Sequence, residues 1–230
     1  MYKWKGTDLS TKGIIVEKKP TISKGKKRIE TYDIYGRNGF LSIDTGVYEP
    51  FEVSLECHLD TSVANLDEVK ALLDGYGTLQ FDSDRQYTAI VNNAIPFEVV
   101  ATKFRSFIIQ FLVNPIAIAT TQTTVAITSN LQQFDITGSY SNPDCEIVLS
   151  SANAQTIIVT LNGTQFKLEM EANKTYTLYC TDKIIKDNLG NNASSKMGGD
   201  FPSLKNGTNT LTWTGSSLST FNIKYRKTYL

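Results

Sequence analysis

Residues 198–230 read GGDFPSLKNGTNTLTWTGSSLSTFNIKYRKTYL, and two β-strands are legible in them. Leu211 and Trp213, then Phe221, Ile223 and Tyr225, alternate with polar residues, which is the period of a sheet with one buried face. Pro202 breaks the chain before the first strand, Asn206-Gly207 supplies a turn that tolerates positive φ, and Asn209 can tie down its own backbone. The stretch describes the closing strands of a β-sandwich, architecture and not chemistry.

Working backward, residues 156–161 and 164–170 form a hairpin around Asn162-Gly163, a pair that favours the type I′ turn matched to strand twist. Residues 175–180 read as a further strand. Residues 181–196 are rich in Asn, Asp, Lys and Ser and read as an exposed loop. The second half shows no helix pattern, and its turn spacing fits a sandwich of about seven strands.

The first half reads as strands around one helix. Residues 13–17 and 29–35 are strand-like, and Phe51, Val53, Leu55 and Cys57 alternate with Glu52, Ser54, Glu56 and His58. Residues 65–75 predict a helix: Asn65 can cap it, Glu68 stands at the capping-box position, and Gly75 can stop it. Leu66, Val69, Leu72 and Leu73 share one face, so the helix should lie on a sheet. Strands follow over 78–81, 87–91 and 97–113, the last run being two strands that meet near 103–106. Residues 119–124, nearly all Thr, Ala and Gln, read as a linker, which divides the chain into domains 1–118 and 119–230.

The 230 residues carry 23 basic and 23 acidic side chains, so no net field favours nucleic acid or an anionic membrane. The first residues lack the apolar core of a secretory signal, and the apolar run 107–113 is interrupted by Gln110. A soluble protein made in the cytoplasm is expected. Cys57, Cys145 and Cys180 are odd in number and far apart in sequence, which predicts buried thiols and neither a disulfide framework nor a metal site.

Catalytic equipment is sparse. The single histidine, His58, lies on the polar side of an alternating strand, and no Gly-x-Ser-x-Gly elbow presents a serine. Asp82-x-Asp84 and Glu169-x-Glu171 pair carboxylates in a manner that could serve a glycosidase, but solvated surface is the plainer reading. Residues 182–192 lack the Asp-x-Asx-x-Asx-Gly order of a calcium loop. No catalytic residue, cofactor or metal site is expected. The basic run Lys18, Lys19, Lys24, Lys26, Lys27 and Arg28 is denser than its surroundings and reads as a solvated loop first, a contact with an acidic neighbouring subunit second and a nucleic-acid contact last. Lys24, Lys26, Lys27 and Arg28 are therefore the candidate interface residues.

These pieces join into a known pattern. Gly13-Ile14-Ile15-Val16, Ile34-Tyr35-Gly36-Arg37-Asn38-Gly39-Phe40-Leu41, the helix exit Leu72-Leu73-Asp74-Gly75-Tyr76-Gly77-Thr78-Leu79, and Phe107-Ile108-Ile109-Gln110-Phe111 before Asn114-Pro115 resemble the N-terminal domain of siphophage distal tail proteins. Leu161-Asn162-Gly163, Asp182, Met197-Gly198-Gly199-Asp200-Phe201-Pro202-Ser203-Leu204 and Gly207-x-Asn209 resemble that family's galectin-like C-terminal domain. The resemblance implies a mainly β fold: a tail-tube-like β-sandwich or split barrel with one α-helix, followed by a galectin-like β-sandwich. It implies a homo-hexameric ring at the tail tip, assembled in the host cytoplasm. Its partners would be the tail tube protein, a tail-associated lysin or tail fibre protein, and receptor-binding proteins.

The other reading is a carbohydrate-binding module that recognises host cell-wall saccharides. Sugar-binding galectins present His, Asn, Arg and a stacking Trp on one sheet, whereas the second half here has no histidine, one arginine and one tryptophan, Trp213. Trp213 is the sole sugar-platform candidate, and its alternating strand predicts that it is buried in the core instead.

Overall fold

The computed structural model describes residues 2–36, 38–81, 84–140, 143–216 and 218–230. Its chain is mainly β and divides into two compact units, Met1–Ala117 with Leu230, and Ile118–Tyr229. Among the described residues no helix is long and apolar enough to cross a membrane.

The first unit is built on an antiparallel sheet whose strands run in the order Thr7–Asp8, Lys3–Trp4, Tyr76–Gln80, Arg85–Val91, Phe104–Val113, Phe51–Asp60 and Ile14–Val16. Its spine is the pairing of Phe51–Asp60 with Phe104–Val113, unbroken from Phe104 opposite Asp60 to Val113 opposite Phe51. Val53, Leu55, Cys57 and Leu59 from one strand and Phe107, Ile109, Phe111 and Val113 from the other are buried on one face. Sequence alternation thus becomes burial, as the period of two requires.

The helix spans Leu66–Leu72 and lies on this face through Val69, with Leu73 buried just beyond it. The Asn65 side chain accepts from the Glu68 backbone N–H at 2.8 Å and donates to the Glu68 carboxylate at 3.0 Å. A helix this short does not persist in water alone, so packing and end contacts hold it. The Trp4 indole N–H donates to the Leu72 carbonyl at 2.9 Å, Lys5 Nζ bonds the Asp74 carbonyl, and Gly75 takes a φ of 72°. A Cβ on Gly77 would sit 3.1 Å from the Trp4 ring and 2.5 Å from Lys5 Cγ, which is why the helix exit carries a second glycine.

The second unit is a sandwich of two five-stranded antiparallel sheets. One orders Thr123–Ala126, Thr220–Arg226, Asp144–Ser151, Lys174–Tyr179 and Ile184–Asp187; the other orders Leu131–Ile136, Gly207–Thr214, Gln155–Leu161, Thr164–Met170 and Met197–Gly199. The two strands legible in residues 198–230 fall in opposite sheets and face each other across the core. Asn162 and Gly163 have φ of 53° and 88°, the two left-handed positions of a type I′ turn.

Among the described residues the sandwich has ten strands where about seven are expected, and residues 181–196 are not a loop throughout. Ile184–Asp187 is a strand with Ile185 fully buried, and Ala193 is buried beyond it. The polar residues that disguised it close its turns: Asp187 Oδ1 accepts from the Leu189 and Asn191 N–H groups at 2.9 Å, and Asn192 Oδ1 accepts from Ser194 N–H at 2.9 Å.

Candidate functional site

The basic run leaves the main sheet of the first unit after Ile14–Val16 and ends in a two-stranded ribbon. Gly25, at its middle, is buried: a Cβ there would lie 2.6 Å from Pro115 Cβ and 2.9 Å from the Glu49 carbonyl oxygen. The Glu49 N–H donates to the Lys26 carbonyl at 2.7 Å, which fixes the base of the ribbon. Glycine is therefore required here by close packing.

Within the run the cations differ. Lys24 Nζ stands 5.6 Å from the centre of the Tyr48 ring, a cation–π contact. Lys27 bonds the Asp44 carboxylate, and that bond, with the Gly46 N–H, holds Asp44 below the usual carboxylate range. Lys26 and Arg28 are exposed, and Lys18 and Lys19 border a cleft of about 160 Å³ shared with Ser54 and Glu56. Two of the four candidate interface residues thus have partners inside the chain, and both partners lie on a strand that sequence reading missed, Phe40–Tyr48.

That strand pairs with Lys27–Asp33, and the two form a sheet by themselves. Tyr32 stands opposite Leu41 and Glu30 opposite Ile43, so Tyr32, Leu41 and Ile43 share a face; they are 50%, 48% and 47% exposed. Ile29 and Phe40 are exposed on the other side. An isolated two-stranded ribbon is marginal in water, and this one carries its apolar strip about half exposed in the single chain. Arg37, within the Gly-Arg-Asn-Gly element near the ribbon's tip, lies outside the described residues.

The residues weighed for catalysis do not converge. His58 Nε2 meets Glu17 at 2.7 Å on the open face of the main sheet. Glu169 is engaged by Lys167 at 3.1 Å, while Glu171 bonds Lys174 at 2.5 Å and also Lys196. The two lysines pull the Glu171 carboxyl down to about 2, the reverse of what a general acid needs. Asp82, of the Asp82-x-Asp84 pair, lies outside the described residues. Burial pushes the Cys57 thiol up to about 12. Among the described residues no three His, Cys, Asp or Glu side chains are grouped to hold a metal ion.

Trp213 is half-buried and packs against the core of its sandwich, where its strand pattern places it. Its ring meets Phe221 edge-on at 6.0 Å, and its indole N–H donates to the Ser129 carbonyl at 3.1 Å. The ring's polar edge is thereby used within the fold. The resemblance residues nearby assemble a different feature. Asn162 Nδ2 donates to Asn209 Oδ1 at 2.8 Å and to the Ser203 carbonyl at 3.1 Å, while Asn209, fully buried, accepts from Lys205 N–H and donates to the Lys205 and Gly207 carbonyls. Two asparagines 47 positions apart thus stitch the segment before strand Gly207–Thr214 onto the type I′ hairpin.

No protein-family model and no curated protein matches the chain. Among solved structures it is similar to the crystal structure of the SPP1 Dit (gp 19.1) protein, described as a paradigm of hub adsorption apparatus in Gram-positive infecting phages. The TM-score is 0.74 at 14% sequence identity, over 100% of this chain and 98% of that one. The likeness is one of fold, and from end to end this chain has the mainly β fold of that hub protein.

Proposed function

We propose that the chain is a structural virion protein without enzymatic activity, the distal hub of a long non-contractile phage tail. The observation that carries this reading is the fold match over the whole length of both chains, to a protein described as a hub of an adsorption apparatus. In this reading six copies close into a ring at the tail tip, assembled in the bacterial cytoplasm. The first unit joins the tail tube protein to a tail-associated lysin or tail fibre protein, and the galectin-like second unit anchors receptor-binding proteins.

The ribbon supports the ring. Its strip of Tyr32, Leu41 and Ile43 has no cover within the first unit, and a neighbouring copy supplies one in a closed assembly. Lys26 and Arg28, at the ribbon's base, then meet the neighbour's acidic side chains. Light scattering and negative-stain microscopy of the full chain test the reading: six-membered rings are expected. A monomer at every concentration, alone and with the tail tube protein of the same phage, overturns it. Replacing Lys26 and Arg28 with Gln, which leaves the Lys24–Tyr48 and Lys27–Asp44 contacts in place, should weaken assembly and flatten its salt dependence. Retention of the full chain on cell-wall glycan, lost in Trp213→Ala, would instead favour the carbohydrate-binding module.

A further inference from the structure

Cys145 and Cys180 are 35 positions apart in sequence and adjacent in space. On strands Asp144–Ser151 and Lys174–Tyr179 the register sets Glu146 opposite Tyr179, so the next pair outward is Cys145 and Cys180. The Cys180 N–H donates to the Cys145 carbonyl at 3.0 Å, which extends the ladder to that pair. Both side chains belong to the same buried cluster, 2% and 8% exposed. Directly opposed residues of an antiparallel ladder have Cα atoms about 4.5–5.5 Å apart. A disulfide needs about 4.4–6.8 Å, so the backbone already meets its requirement. Both cysteines are free thiols here, and Cys57 is buried in the other unit, hydrogen-bonded to the Leu55 carbonyl.

We propose that Cys145 and Cys180 form a disulfide when the protein meets a low-molecular-weight disulfide such as oxidised glutathione, stapling the two strands at one end of the sandwich. Cys180, at the strand end and the more exposed, reacts first: its thiolate attacks one glutathione sulfur, the glutathione S–S bond breaks, and one glutathione leaves as thiolate. Cys145, deprotonated, attacks the Cys180 sulfur, breaks the mixed disulfide and expels the second glutathione. Two protein thiols are oxidised, one glutathione disulfide is reduced to two thiols, and the two cysteine protons end on the glutathiones. The neighbouring Cys180 thiol, and then burial, push the Cys145 thiol up, so the reaction is slow in the native state and fast while the sandwich closes.

The full chain is refolded from denaturant in a glutathione buffer with oxidised form in excess, alkylated, digested and mapped by mass spectrometry. The expected product is a Cys145–Cys180 cross-link about tenfold or more over either pairing with Cys57, with Cys57 alkylated and Tm raised relative to the reduced protein. Cys57→Ser keeps the cross-link. Three alkylated cysteines, an unresolved glutathione adduct on Cys180, or pairings with Cys57 at comparable yield would overturn the proposal. If Cys145→Ser and Cys180→Ser fail to fold, the wild-type map decides alone.

Discussion

Two hairpins of this chain obey the same rule and end in opposite states. In the second unit, Gln155–Leu161 and Thr164–Met170 put Ile157, Val159, Leu161, Phe166 and Leu168 at 0% exposure against the facing sheet. In the first, Lys27–Asp33 and Phe40–Tyr48 align Tyr32, Leu41 and Ile43 just as regularly and leave each about half exposed. Alternation states that a face is to be buried, not what buries it. For the hairpin of the second unit the cover is in the chain; for the ribbon, on the function proposed above, a neighbouring copy supplies it.

Four measurements break or sharpen this contrast. Phe166→Ala removes a fully buried ring from the covered hairpin and should cost about 3–5 kcal/mol in chemical denaturation. Asn209→Ala removes the acceptor of the Lys205 N–H and one of the two acceptors of the Asn162 amide, and about 2–3 kcal/mol of stability should go with it, read the same way. A loss below about 1 kcal/mol would mean water replaces the network.

Glu171→Gln should act weakly and mainly in acid. The folded carboxyl sits near 2, below its ordinary 4.5. Its stabilisation is therefore complete above about 4.5 and disappears as pH falls toward 2. Thermal melts of wild type and variant should accordingly differ at neutral pH, converge at the acid end, and differ less in high salt. Smallest for the chain itself is Tyr32→Ser with Ile43→Ser on the uncovered ribbon: monomer stability should stay within about 0.5 kcal/mol. Assembly by light scattering should be lost. A ribbon variant that destabilised the monomer as Phe166→Ala does would show that the strip already has its cover within the chain.

What the sequence revealed follows from how local each feature is. The Asn65–Glu68 cap, the Asn162-Gly163 turn and the alternation of Phe51–Asp60 are fixed by neighbours, and each was readable. Strand Ile184–Asp187 was hidden because its turns need polar residues and it buries one central isoleucine. Phe40–Tyr48 was hidden because Asp44, Thr45 and Gly46 interrupt its alternation and its partner strand was read as an isolated element. Without that strand, Asp44 and Tyr48 could not be recognised as partners of Lys27 and Lys24, so the charge run was legible and its internal neutralisation was not. The Cys145–Cys180 contact and the Asn162–Asn209 bond depend on register between strands far apart in sequence, and no local pattern encodes register.

Trp4 has a bearing on how the first unit comes into being. It pairs opposite Leu79 and caps the helix through Leu72, so it finds its place only after residues near 80 exist. At ribosomal rates of about 5–20 residues per second, that leaves the indole waiting on the order of 4–15 s. Until then the seven-residue helix lacks that contact at its C-terminal end. The earliest of these residues to be synthesised thus waits for partners 68 or more positions downstream, and until then an unpaired strand edge and a large apolar ring are presented to every other nascent copy nearby.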